Sequence, residues 1–133
     1  MNEKDKQTEQ YLFNNMGKNL KSFKTIINNP IDVNSSDSDG RTLLMIAIAN
    51  NCEEVIDILI RKKAAIDARD ADGWTPLIYA VQFNRCKIVK LLLKKGADIT
   101  LRDYHWNYDA YHWAKHNKNS KIASLLSKIG SQC

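Results

Sequence analysis

The stretch DADGWTPLIYAVQFNRCKIVKLLLKKGADITLRD, residues 70–103, decides the fold. Asp72-Gly73 is a tight-turn dipeptide, because glycine accepts the positive φ that such turns often need. Thr75-Pro76 is typical of a helix start, since the hydroxyl caps a backbone N–H and proline lacks a donor that would have no partner there. Apolar residues at helical spacing then predict two short helices, which end near Asn84 and Gly96.

A second copy of this stretch precedes it. Residues 37–70, DSDGRTLLMIAIANNCEEVIDILIRKKAAIDARD, match it position for position with a period of 33. Partial copies flank the two, at residues 20–34 and at residues 103–130, the latter with one residue inserted near Trp106. Because helices this short are not stable alone, the copies are expected to stack on one another.

A period of 33 with a turn and two helices resembles the ankyrin repeat. The resemblance is carried by Asp72 to Leu77, Ala80, the run from Ile88 to Leu93, and Gly96-Ala97-Asp98. It implies an all-α solenoid of helix–turn–helix units joined by β-hairpin-like loops, with two full repeats between N- and C-terminal capping repeats. The expected boundaries are a disordered tail at 1–7, a single domain at 8–130 with repeats at about 8–36, 37–69, 70–102 and 103–130, and a tail at 131–133.

The chain departs from the family pattern at several places. The family usually has Pro-Leu-His where this chain has Leu43-Leu44-Met45, so the hydrogen bonds of that histidine are expected to be absent from the second repeat. In the fourth repeat His112 occupies the position and is interpreted as a hydrogen-bonding core residue. Lys63 replaces the glycine that ends the second helix and is expected to be left-handed, whereas Pro30 cannot be, so the first repeat must end its helix differently.

Composition describes an ordinary globular chain. The 133 residues are 44% hydrophobic and 26% charged, with a net charge of +5. No apolar run approaches the ~18 residues of a membrane span, and the polar first residues do not form a secretory signal. The three cysteines are an odd number without a CxxC pair, which favours a reducing, intracellular setting. The cytoplasm is the simplest such setting, and the nucleus or delivery into a host cell stays open as an alternative. A monomer is expected.

The sequence does not predict an enzyme. His112 and His116 have the HxxxH spacing but lack the glutamate of the zinc-protease motif, so no metal site is expected. Neither Cys52 nor Cys86 has a histidine placed beside it as a base, and no glycine-rich loop could bind a phosphate. No catalytic residue, metal or cofactor is therefore assigned, and the absence of a nucleic-acid motif argues against that class of partner.

The resemblance implies that another protein binds on the concave face formed by the hairpin tips and first helices. Trp74 and Phe83 have no evident core role there, and Trp, Tyr and Arg are enriched at interface hot spots. Trp106 is open to two interpretations, exposure or burial in the terminal cap. The candidate partner-binding residues are Arg41, Arg69, Asp72, Trp74, Gln82, Phe83, Arg102, Tyr104, His105, Trp106, Tyr108 and His116.

An alternative function rests on charge. Residues 67–133 carry eleven basic and six acidic side chains, so the whole net charge lies in the C-terminal half. Such a face could mask an acidic protein or a nucleic acid. Lys87, Lys90 and Lys94 follow helical spacing outside the apolar stripe, however, which is typical of a solvated face. Binding through lysines would weaken steeply with salt, whereas binding through aromatic anchors would not.

Overall fold

The computed structural model describes residues 33–130, and within them it contains only helices and loops. This confirms the all-α class. The helices form three consecutive pairs that match the second, third and fourth predicted repeats, while the first repeat and Pro30 lie outside the described residues. The helices are α1 (Leu43–Ala49), α2 (Glu53–Arg61), α3 (Pro76–Gln82), α4 (Cys86–Lys94), α5 (Ala110–His116) and α6 (Ser120–Gly130).

The first helix of each pair begins at a side-chain cap. The Thr42 and Thr75 hydroxyls accept from the N–H groups three residues on, at 3.3 and 3.2 Å, and Pro76 follows as the first helical residue. Asp109 caps α5 in the same way through its carboxylate, at 2.9 Å. The predicted Thr75-Pro76 start is therefore confirmed, and each cap supplies an acceptor for a backbone donor that the helix leaves free.

Left-handed residues end most of these helices. Asn51, Asn84 and Lys118 have φ of 56°, 56° and 58° in the loops after α1, α3 and α5. Lys63 follows α2 at φ 63°, where Gly96 follows α4 at φ 88°, which confirms the left-handed lysine that the sequence predicts. A non-glycine residue in this region costs roughly 1–2 kcal/mol, so Lys63 stores strain that Gly96 does not.

The chain divides after Ala65 into two compact units. In the described part of the first unit, α1 packs on α2, with a core that includes Leu43, Leu44 and Ile56. In the second unit α3 pairs with α4 and α5 with α6, and the pairs stack because α3 packs on α5 and α4 on α6. Apolar side chains such as Leu77 and Ile122 are buried between these helices, as the stacking of repeats requires.

The loops between the helix pairs are tight hairpins. The N–H of Asp70 donates to the Trp74 carbonyl at 3.0 Å, and the N–H of Gly73 donates back to the Asp70 carbonyl at 3.0 Å. In the described residues the one bridge of strand type is isolated, between Ser36 and Thr42, so no sheet forms there. These hairpins carry most of the residues that the sequence analysis assigned to partner binding, while Gln82, Phe83 and His116 lie at the ends of α3 and α5.

Candidate functional site

A buried aspartate organises the hairpin of the third repeat. Asp70 is 7% exposed, and its Oδ1 accepts from the N–H groups of Asp72 and Trp74, both at 2.9 Å. Its Oδ2 accepts from the Tyr79 hydroxyl at 2.6 Å. A carboxylate with three donors is stable without water, so a side chain of α3 holds the hairpin in place.

The same arrangement recurs in the fourth repeat with different donors. Asp103 is 3% exposed, and the indole N–H of Trp113 donates to its Oδ2 at 3.0 Å. Its Oδ1 accepts from the N–H groups of Trp106 and Tyr108, at 2.9 and 3.3 Å. These residues lie three and five positions on, rather than two and four, which places the inserted residue between Asp103 and Trp106. Asn107, at φ 57°, then corresponds to Gly73 at φ 83°.

In the first compact unit an arginine replaces the aromatic donor. Ile46 stands at the position of Tyr79, and its side chain has no donor for Asp37. Arg41 fills this role, with Nε and Nη2 each 2.8 Å from Asp37 Oδ2. The Arg41 side chain is 46% exposed, but its guanidinium is already paired. Arg41 therefore stabilises its own hairpin, whatever else it contacts.

Trp74 has a packing role that the sequence analysis did not assign. Its ring is half-buried and meets Tyr79 and Trp113 edge to face, at centroid distances of 5.5 and 5.6 Å. Tyr108, its counterpart in the fourth repeat, meets Trp113 in the same way at 5.4 Å. Trp74 thus links the two helix pairs of its unit through ring contacts, whereas the sequence analysis found no evident core role for it.

The hairpins of the third and fourth repeats touch along their backbones. The N–H of Tyr104 donates to the Asp72 carbonyl at 2.9 Å. A Cβ on Gly73 would lie 2.9 Å from the Tyr104 ring and backbone nitrogen, so this approach requires glycine. His105 Nε2 lies 2.8 Å from Asp72 Oδ1 across the same gap.

Two arginines reinforce this contact. Arg69 donates from Nη2 to the Arg102 carbonyl at 3.2 Å, and its guanidinium lies 5.4 Å from the centre of the Tyr104 ring. Arg102 donates from Nη1 to the Asn107 carbonyl at 3.0 Å. The two side chains are exposed but held by the hairpins they contact, so they present a fixed arrangement of charge.

The exposed aromatic side chains of this unit lie among the predicted residues. Phe83 is 43% exposed and stacks on Tyr79 at 6.3 Å. Tyr104 and Trp106 are 60% and 66% exposed. Trp106 is therefore exposed, which settles the alternative that the sequence left open.

The two histidines of α5 are both exposed. His112 is not the core residue that the resemblance implied, because its Nδ1 lies 2.7 Å from the Asp109 cap and its side chain is 44% exposed. His116 packs against Trp113 and Tyr108, at 5.5 and 6.1 Å. Gln82, at the end of α3, accepts a hydrogen bond from the Asn117 side chain.

We use the term hairpin surface for the predicted residues of the second unit. Every predicted partner-binding residue except Arg41 belongs to this surface. Its residues are connected by ring contacts, hydrogen bonds and a cation–ring contact, either directly or through neighbours such as Tyr79 and Trp113. The surface comprises Arg69, Asp72, Trp74, Gln82, Phe83, Arg102, Tyr104, His105, Trp106, Tyr108 and His116.

The pKa shifts lie outside this surface. Burial raises the pKa of the Cys52 thiol, and Cys52 and Cys86 are both free thiols. The hydroxyl of Thr100, followed by its backbone N–H, lowers the pKa of Asp98. In residues 33–130 no group of three potential metal ligands is found, and none of the described helices is long and apolar enough to cross a membrane.

A family model described as ankyrin repeats, in three copies, matches residues 12–103. The chain belongs to the ankyrin repeat family. No curated protein matches it. Ankyrin repeats generally mediate protein–protein interaction. The helix pair α5–α6 lies beyond the matched residues, yet it stacks on α3–α4 and repeats the hairpin geometry of Asp70. In the described part of this ankyrin repeat protein, α5–α6 is thus a repeat-like helix pair that lies outside the residues matched by the family model.

The sequence analysis missed the roles of Asp70 and Asp103. The signal was present, since aspartate recurs at 37, 70 and 103 with the period of the repeat. An aromatic donor follows nine or ten positions later in the last two repeats. A recurrent acidic residue at a hairpin start, paired with a recurrent Tyr or Trp, indicates a buried hydrogen bond rather than an exposed charge.

Proposed function

We propose that this protein is a non-catalytic module that binds another protein on its hairpin surface. The observation that carries the proposal is the distribution of exposed apolar side chains. In the described chain the large hydrophobic residues left exposed are Phe83, Tyr104 and Trp106, and all three belong to this surface. Exposed aromatic residues that cluster on one face are typical of a protein interface.

The backbone beneath these aromatics supports the proposal. The N–H of Trp106 is held by Asp103, and the N–H of Tyr104 by Asp72. Arg69 lies over the Tyr104 ring. Residues already held in place lose little freedom on binding, so more of the contact energy becomes affinity.

Trp74 contributes in a different way from the exposed residues. Because it is half-buried against Tyr79 and Trp113, a partner reaches part of its ring, while the rest supports the repeat stack. We propose Trp106, Tyr104 and Phe83 as the main anchors and Trp74 as their support. Arg41, which lies in the other compact unit, remains a prediction.

The non-catalytic part of the proposal rests on the state of the reactive groups. A nucleophilic cysteine needs a lowered pKa, whereas burial shifts the pKa of Cys52 upward. His105 and His112 are both exposed, and each lies close to one aspartate, Asp72 at 2.8 Å and Asp109 at 2.7 Å, so neither histidine lies in an enclosed site. The free thiols favour a reducing, intracellular setting, where we propose that the protein acts as a monomer.

Photo-crosslinking from single positions tests this function. A benzophenone amino acid replaces Trp106 in one variant and Lys90, an exposed residue of α4 outside the hairpin surface, in the control. In an extract of the source cells, we expect a discrete crosslinked protein from position 106 and not from position 90. Unlabelled wild type should compete for it, while a Tyr104→Ser/Trp106→Ser variant should not. Equal products from both positions would refute the hairpin surface as the binding site.

Ionic strength separates this function from charge masking. Anchors such as Trp106 bind mainly through apolar area, so affinity should change little between low and high salt. A partner held by lysines would dissociate as salt rises, because screening weakens exposed charges beyond a Debye length of about 8 Å at 0.15 M.

A further inference from the structure

The fourth repeat carries a groove of about 650 Å³ on a face that no other described repeat covers. Its lining residues all belong to α5, α6 and the loop between them. In the third repeat the corresponding face is covered, because α5 packs on α3 and α6 on α4. We call this feature the end groove.

Substitutions relative to the third repeat create the end groove. Val89 is fully buried in α4, and its counterpart 34 positions on, Ala123, is smaller and half-buried. Leu93 has Ser127 as its counterpart in the same register. Tyr111 keeps a large half-buried ring at the groove, where the third repeat has Leu77. Smaller side chains at positions 123 and 127, beside the larger ring of Tyr111, leave a depression with an apolar floor.

The described residues around the end groove carry charge of one sign. Among them the lining includes Lys115, Lys118 and Lys128 and no carboxylate. Lys115 stands where the third repeat has the buried Val81, and its Nζ lies 5.5 Å from the centre of the Tyr111 ring. A face that only needed to be soluble would be expected to mix both signs of charge.

Lys118 is also unfavourable for the backbone. It has φ 58°, whereas the equivalent left-handed residues of the two preceding repeats are Asn51 and Asn84. Asparagine tolerates this conformation better than lysine does. The fourth repeat therefore places a positive charge at the end groove at some cost in stability. Lys63 has the same left-handed backbone strain, at a position away from the groove.

We propose that the end groove binds an acidic amphipathic helix of a partner protein. The carboxylates of such a helix would meet Lys115 and Lys118, and its apolar stripe would lie on Tyr111 and Ala123. A helix fits because the equivalent face of the third repeat already packs against helices. This site is separate from the hairpin surface, so the two proposals can fail independently.

The test uses a synthetic peptide of about 16 residues, four helical turns, with leucines on one face and glutamates on the other. Its binding is followed by amide shifts of the full-length ¹⁵N-labelled protein. We expect saturable shifts at Tyr111, Ala123 and Ser124, and affinity at least about tenfold weaker for the same peptide with glutamine in place of glutamate. Shifts confined to the hairpin surface, equal affinity for the two peptides, or no saturable binding would overturn the proposal.

Two variants separate binding from folding. Lys115→Gln and Lys118→Asn should each weaken the peptide about threefold, the effect of losing one exposed charge pair. Lys118→Asn should also raise the melting temperature, because the left-handed position then holds the residue found in the earlier repeats. Higher stability together with weaker binding excludes unfolding as the cause. Unchanged affinity in both variants would contradict the proposal.

Three further measurements test other possible occupants of the end groove. A single-stranded oligonucleotide that binds as tightly as the peptide and depends on the same lysines would assign the groove to nucleic acid. Self-association in sedimentation that Lys115→Gln abolishes would assign it to a second copy of the chain. Peptide binding that is seen only after removal of residues 131–133 would assign the groove to those residues. Each result would replace the acidic helix, and we expect none of them.

Discussion

The Tyr79 hydroxyl lies 2.6 Å from Oδ2 of the buried Asp70 and donates a hydrogen bond to it. This contact joins the first helix of the third repeat to its own hairpin. Trp113 and Asp103 make the same connection in the fourth repeat. In the first compact unit Arg41 reaches Asp37 from within the hairpin, because Ile46 cannot donate.

This relationship explains why one hairpin position holds both Arg41 and Trp74. In the second repeat the helix has Ile46, which cannot donate, so Arg41 of the hairpin donates to Asp37. In the third repeat Tyr79 of the helix donates to Asp70, so the hairpin residue need not donate, and Trp74 packs against the Tyr79 ring. The difference follows from the hydrogen-bond requirement of a buried carboxylate, not from the general exposure of the position.

Tyr79→Phe should therefore destabilise the fold by about 1–3 kcal/mol, because Asp70 loses a donor while the ring volume is retained. Tyr111→Phe is the matched control, a half-buried tyrosine whose hydroxyl has no described hydrogen bond in residues 33–130. Urea denaturation of both variants measures the difference. Equal midpoints would show that the Asp70 contact adds nothing to stability.

Trp74→Ala should lower the free energy of unfolding by at least about 1–3 kcal/mol. This range is the sum of two edge-to-face ring pairs, and the loss of buried apolar area adds to it. Trp106→Ala removes a ring that is 66% exposed and should change stability by less than ~0.5 kcal/mol. Thermal denaturation of the two variants compares a packed with an exposed tryptophan. A neutral Trp74→Ala would restore the view of Trp74 as a surface residue alone.

Some of this site follows from local sequence rules and some does not. Thr75-Pro76, Asn84 and Lys63 are predictable because capping and left-handed φ depend on a few neighbouring residues. The packing of Trp74 and the exposure of His112 are not, because both depend on which side chain of another element lies nearby. The exposure of Trp106 was also not predictable. It depends on where the inserted residue lies in the hairpin, and that position is defined by the hydrogen bonds that Asp103 accepts.

Gly73→Ala and Gly96→Ala should differ although both glycines have positive φ, of 83° and 88°. An added Cβ at Gly96 meets nothing within 4 Å, so that variant should lose only the roughly 1–2 kcal/mol of left-handed strain. At Gly73 the Cβ would displace Tyr104, which adds about 1–3 kcal/mol of overpacking. Chemical denaturation reports both values. Equal losses would mean that the two hairpins do not approach as described.

Lys63→Gly should stabilise the protein by about 1 kcal/mol or less. Glycine removes the roughly 1–2 kcal/mol of left-handed strain at φ 63°, and the greater freedom of the unfolded chain offsets about 0.5–1 kcal/mol of that gain. Lys62→Gly is the control, since Lys62 has φ −84° and gains nothing from glycine. A lower denaturation midpoint for Lys63→Gly than for wild type would contradict the claim that Lys63 is strained.

The affinity of the crosslinked partner for wild type, Trp106→Ala and Lys90→Ala, measured by calorimetry, tests the central claim most directly. Trp106 is exposed on a backbone fixed by Asp103, so its loss should weaken binding by about 2 kcal/mol or more, roughly thirtyfold, without changing the melting temperature. Lys90→Ala should leave the affinity unchanged. If Trp106→Ala binds as tightly as wild type, the hairpin surface is not where this protein holds its partner.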